Sequence, residues 1–299
     1  MKDAMAAVLD TPAPPSSPAS GRLRAWAGRA RRHPLLAFSA LVFFLLIALA
    51  LLAPLLLPDP RSLNPIQRLR APGWEHWFGT DHLGRSVAVR TAYGTRVSLA
   101  IGAAVAVATT LIGLAIGVAA GFLRRWDGVI MRCMDGVMAI PGVLLAIALM
   151  SLFGADIRTV IVAITIPEIP RMARLVRSLT LGIRAQPYIQ AAITNGARLP
   201  RLMGRHVIPN LMSPVLVQAT YVFASAMILE AVLSFLGAGT PPDIPSWGNM
   251  LAEGRNYLGR APWILAFPGI ALAALVLLAN VTGDACRDIL DPRLARALP

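Results

Sequence analysis

The chain is predicted to be an all-α integral membrane protein with six transmembrane helices. Three observations predict this. Of its 299 residues 56% are apolar and 14% charged, and the mean hydropathy of +0.64 is far above that of a water-soluble domain with a charged surface. The apolar residues fall into long, charge-poor runs. The basic residues, all Arg except Lys2, gather at the ends of those runs, which is the pattern of a membrane anchor. That pattern explains a net charge of +13 without a nucleic-acid partner.

Residues 1–34 read as a basic cytoplasmic tail. The stretch Thr11-Pro12-Ala13-Pro14-Pro15-Ser16-Ser17-Pro18 cannot bury a core and is predicted to be disordered. Residues 35–57 carry no charge and would extend about 34 Å as a helix, enough for a hydrocarbon core of about 30 Å. Arg31-Arg32 and Ala48-Leu49-Ala50 look like a twin-arginine address and a cleavage site, but the apolar run continues and more spans follow. Residues 58–96 are an external loop. The core, 97–283, holds spans at 97–123, 133–153, 157–175, 211–236 and 262–283, and 284–299 form a cytoplasmic tail. With the amino terminus inside, 19 Lys and Arg are cytoplasmic against 9 outside, so both termini are expected in the cytoplasm. The external Arg61, Arg68, Arg70, Arg85, Arg90 and Arg96 run against that bias, partly offset by Asp59, Glu75 and Asp81.

Small residues recur in the second span (Gly102, Ala106, Gly113, Gly117, Ala120, Gly121), which predicts close helix packing. Pro167, Glu168 and Pro170 are expected to kink or end the fourth span. Cys133 and Cys286 are expected to be packing residues.

No catalytic residue is expected. The only lysine is Lys2, so a P-loop is excluded. His33, His76, His82 and His206 are scattered, and although His76 and His82 flank Asp81, no metal site is expected. Glu230 and Asp284 are intramembrane polar candidates. A proton relay would need several acids at one depth, and the bland reading of Glu230 is a carboxyl bonded to backbone or a neighbouring helix near the outer face. No inverted repeat with midplane charges supports an ion-coupled secondary transporter, the less favoured alternative.

The cytoplasmic segment 183–210 is more specific. Pro187 suits the first position of a short helix, and Asn195-Gly196 suits its end, because glycine takes the left-handed conformation that a helix end requires. Pro200 opens a second helix to about His206, and Pro209 ends it. Two short helices at a glycine turn form a knob suited to a groove on another protein. The alternative is an interfacial loop.

Gln190-Ala191-Ala192, Gly196 after three intervening residues, and Ile208-Pro209 resemble the E-A-A-x-x-x-G signature of ABC importer permeases. Residues 78–85 (FGTDHLGR), 138–141 (MAIP), 233–237 (LSFLG), 245–250 (PSWGNM) and Gly283-Asp284 with Arg287-Asp288 and 290–293 (LDPR) are similar to the dipeptide and oligopeptide branch. The resemblance implies the six-helix fold of binding-protein-dependent importers in a bacterial inner membrane. It implies a homologous second permease subunit, two ATPase subunits and an external substrate-binding protein as partners. No cofactor is bound by this chain, ATP and magnesium being held by the ATPases. Gln190, Ala191, Ala192, Gly196, His206, Ile208 and Pro209 would lie in the docking and coupling element. The implied cargo is a dipeptide or oligopeptide, with nickel complexes or glutathione as alternatives. Three positions depart from the pattern: Gln190 replaces the signature acid, Ser86 stands where the external motif has Asp, and Glu168 with Pro170 interrupts a span end.

Overall fold

A computed structural model describes the backbone of residues 34–290 and the side chains of 38–285 other than 199 and 200. The tail stretches 1–33 and 291–299, and Cys286, Arg287 and Asp288 as side chains, lie outside the described residues. Residues from Ser39 onward form one compact unit, separate from the unit ending at Phe38. Among the described residues there is no strand, only an isolated bridge between Thr80 and Ser86.

The helices are α1 (Pro34–Leu56), α2 (Val87–Phe122), α3 (Arg124–Met138), α4 (Gly142–Phe153), α5 (Ile157–Arg184), α6 (Pro187–Thr194), α7 (Leu199–Leu202), α8 (Ile208–Phe235), α9 (Trp247–Gly254) and α10 (Trp263–Leu290). Four stretches are long and apolar enough to cross a membrane: Phe38–Leu56, Val87–Phe122, Met203–Phe235 and Trp263–Ala285. Much of their surface is exposed aliphatic and aromatic side chain, such as Phe44, Leu55, Leu111 and Leu277. Lipid is the solvent that makes such a surface stable.

α2, α5, α8 and α10 make the bundle. The glycines of α2 act here by lacking a side chain. A Cβ on Gly113 would lie 2.5 Å from Met172, one on Gly117 2.6 Å from Val176, and one on Gly121 2.6 Å from Thr180. Every fourth residue of α2 is thus a slot for α5, and the predicted close packing is found with α5 as its partner.

That packing carries the helix past the prolines, so the span does not end there. α5 runs unbroken through Pro167 and Pro170 to Arg184, because Met172, Ala173, Val176 and Thr180 are buried against the α2 slots and hold the helix beyond its break point. The predicted single span at 133–153 is instead broken at Ala139-Ile140-Pro141, where α3 and α4 meet at 82°. Pro141 lacks an N–H and disfavours a helical conformation at Ile140. α4, at 12 residues, reaches about 18 Å and cannot cross the bilayer alone. Cys133, expected to pack, is exposed. α2 starts ten residues earlier than the predicted span, capped by Ser86, whose hydroxyl accepts from the Val89 amide at 3.5 Å. Serine therefore serves at that position as a cap, a role open equally to Asp.

Candidate functional site

The two ends of the bundle carry different constructions. At the end where α2 stops and α5 runs out, residues 186–210 form the predicted knob. α6 starts with Gln186 at its N-cap and Pro187 in its first turn. It ends in a Schellman motif: the Gly196 amide donates to the Ile193 carbonyl at 2.9 Å and the Ala197 amide to the Ala192 carbonyl at 3.0 Å. Gly196 has φ +78°, and open space surrounds the position a Cβ would take. Glycine is required by the backbone conformation alone.

The knob is held from beneath and bare above. Ile189, Leu202 and Val207 are buried, and Val207 joins Met172, Val176, Leu211 and Val215 in one cluster spanning α5 and α8. Tyr188 of α6 and His206, in the turn that follows α7, lie with ring centroids 6.1 Å apart. Gln190, Ala191, Gly196, Ile208 and Pro209 are exposed, whereas Ala192 and His206 are half-buried. Gln190 turns its amide back on its own chain, donating to the Arg184 carbonyl at 2.8 Å. Arg184 itself donates to the Gly121 and Phe122 carbonyls, satisfying the end of α2.

The second predicted helix differs from expectation. α7 is a single turn, and Met203–Val207 is a π-turn that runs straight into α8. Pro209 does not end the helix but sits in the first turn of α8. The Ile208 amide reaches back five residues to Met203, and this widened turn makes room for a ring that would collide with an α-helical carbonyl. The knob is therefore joined rigidly to a membrane span.

At the opposite end, residues 58–86 and α9 close the bundle. Asp81 and Arg90 are buried, and Glu253 lies beside them. Arg90 donates to Asp81 Oδ2 at 2.8 Å and to Glu253 at 2.6 and 3.0 Å. Arg85 bridges the same two acids. Burial would raise the Asp81 pKa, but the Arg85 and Arg90 charges outweigh it and hold the carboxyl below its ordinary value. Burial is also the largest influence on His82 and pushes its pKa down, and the ring stacks on Tyr257. Asp81, His82 and Glu253 bring their ligand atoms within 4.8 Å of one another, but two guanidiniums already balance the two carboxylates and leave little attraction for a cation. His76 is bonded to Gln67 and forms no pair with His82.

Glu230 is 1% exposed and accepts from Ser234 and Ser246, both at 2.9 Å, and from Thr240 at 3.4 Å. The expected partner, backbone or a neighbouring helix, is a set of hydroxyls: Ser234 of α8, Thr240 of the α8–α9 loop and Ser246 at the N-cap of α9. Asn249 completes that set through the Thr240 hydroxyl at 2.9 Å. Asp284 is exposed and takes no part in it. The buried ion-pair set was not foreseen. Its one signal was the arginine excess in the loop, now accounted for at Arg85 and Arg90 by this set and at Arg61 by Asp243 at 3.3 Å.

Residues 110–296 match the family profile described as binding-protein-dependent transport system inner membrane component. The chain belongs to this family. It is similar to a probable peptide ABC transporter permease of Sinorhizobium fredii, 51% identical over 89% of this chain and 92% of the relative. It is 36% identical to a dipeptide transport system permease of Alkalihalophilus pseudofirmus over 98% and 99% of the two chains. Among solved structures, an inward-facing methionine ABC transporter chain shares its fold with a TM-score of 0.58 at 20% identity, covering 69% of this chain and 96% of that one. The chain is an inner-membrane permease of the ABC importer class.

Proposed function

We propose that this permease imports short peptides as half of a two-permease pore, and that ATPase subunits drive it through the 186–210 knob from the cytoplasmic side. Both termini then lie in the cytoplasm, and an external binding protein delivers cargo to the end carrying 58–96. ATP and magnesium are bound by the ATPases, and this chain binds no cofactor. The carrying observation is the knob: its outer face is bare while its inner face is anchored on α5 and α8. Any push on the knob moves two spans together, which is what alternating access requires. The peptide cargo is supported by the relatives named for peptide transport.

Reconstitution with a second permease, two ATPases and a binding protein in liposomes tests the proposal. Peptide uptake is expected to require ATP. Uptake that survives an ATPase with a dead nucleotide site sinks it.

The knob also limits the partner surface. Residues 186–210 contain no acid, and Arg198, Arg201 and Arg205 are exposed, so the complementary groove is acidic. The paired change Arg201→Glu and Arg205→Glu should weaken ATPase binding about tenfold or more and lessen its salt sensitivity. Unaltered affinity in a pull-down titrated with salt would show that docking rests on shape alone.

A further inference from the structure

We propose that the cavity beside Glu168 is a substrate site for short zwitterionic peptides, with the ammonium on Glu168 and the carboxylate on Arg171 and the free N-terminus of α4. This rests on the peptide-importer reading above.

The cavity measures about 460 Å³ and lies where the α3–α4 elbow meets α5 and α8. Its floor is polar in three independent ways. Glu168 is 5% exposed, and its Oε2 is buried without a hydrogen-bond partner among the described residues. Such a group costs free energy unless something else completes it. Arg171 donates one N–H to Glu168 Oε1 at 2.9 Å, and its half-exposed side chain lines the cavity. α4 starts at Gly142 with no side-chain cap, so its first amides and the positive end of its dipole are free. Gly142 and Glu168 line the same cavity, and a Cβ on Gly142 would lie 3.2 Å from Pro167, the residue before Glu168.

Depth and charge narrow the ligand. With Ile157, the first residue of α5, taken as the outer edge of the span, Glu168 lies about 17 Å along the helix, about halfway through a hydrocarbon core of about 30 Å. A discontinuous helix whose N-terminus opens beside an acid at that depth is the arrangement membrane transporters use to hold charged cargo. Glu168 and Arg171 together are neutral. A lone cation or anion would leave one desolvated charge over, whereas a zwitterion leaves none. The remaining wall, including Ile140, Val143 and Ile228, is apolar and suits peptide side chains. The volume is that of a small-molecule site.

The test compares uptake of alanyl-phenylalanine and its N-acetyl derivative by the reconstituted complex. In Glu168→Gln the ratio of free to acetylated uptake, relative to wild type, should fall about tenfold, the effect of losing one charge-assisted hydrogen bond. A ratio within about twofold of wild type overturns the inference alone. Wild type that takes up no free dipeptide overturns the peptide-importer reading and the inference with it. Should Glu168→Gln not assemble, Ile228→Cys in a Cys133→Ser, Cys286→Ser background decides. Free dipeptide should slow thiol labelling of the detergent-solubilised complex, without binding protein, while the acetylated one does not. Equal protection by both, or none by either, overturns it.

Discussion

Replacing Arg90 with Met is expected to remove about 3–5 kcal/mol of stability, the cost of breaking a buried ion pair by deleting one partner. Arg90 is 2% exposed and joins Asp81 to Glu253, two acids that come from distant parts of the chain. Without it, Arg85 is left to neutralise both carboxylates. Arg85→Met should cost less, because Arg85 and its contact to Glu253 are nearer solvent. Arg90→Lys should not rescue, since an ammonium cannot reproduce a guanidinium fork on two carboxylates. Thermal unfolding of the detergent-purified protein measures all three. A melting temperature for Arg90→Met equal to wild type would mean that the cluster contributes nothing net, as some buried pairs do. The consequence is functional as well as structural. The network ties residues 78–90 to α9, and the neighbouring Trp247 indole donates to the Thr91 carbonyl at 2.9 Å, so its loss should loosen the whole face on which a binding protein would sit.

The second large effect is expected at Gly196. Pro cannot adopt φ +78°, and it lacks the amide that Gly196 donates to Ile193. Gly196→Pro should cost about 3 kcal/mol or more locally and redirect the chain between α6 and α7. Uptake should be lost while ATP hydrolysis by the assembled complex continues, which is the signature of uncoupling. Gly196→Asn should be mild, because Asn tolerates the left-handed region, and Gly196→Ala should fall between, at about 1–2 kcal/mol. Wild-type uptake in Gly196→Pro would show that the turn does not transmit the motion. The absence of an acid at position 190 bears on this. Gln190 spends its side-chain amide on the Arg184 carbonyl, so the signature position braces the knob from within, and Arg198, Arg201 and Arg205 supply the charge on its exposed face.

Chain-local signals carried four of the spans and the first helix and turn of the knob. Apolar runs of about 20 residues specify membrane helices because every backbone polar group must be satisfied inside the segment. Asn195-Gly196 specified a helix end for an equally local reason, and the structure places it within one residue. The prolines show where local reasoning stops. Pro141 breaks a helix at 82°, whereas Pro167 and Pro170 lie inside one. All three carry the same local penalty. What differs is the packing beyond them: glycine slots in α2 clamp α5 past its prolines.

Period, hydropathy and turn chemistry act over a few residues, and they suffice to read an α-helical permease with a short helix and a glycine turn displayed between two spans. Only the tertiary structure decided which charges meet. Arg90 and Glu253 are 163 residues apart, and Glu230 and Ser246 close on each other across a loop. The Glu168 carboxylate matters because the elbow at Pro141 opens a cavity beside it. Such pairings depend on how helices are brought together, and a buried charge takes whatever partner that packing supplies.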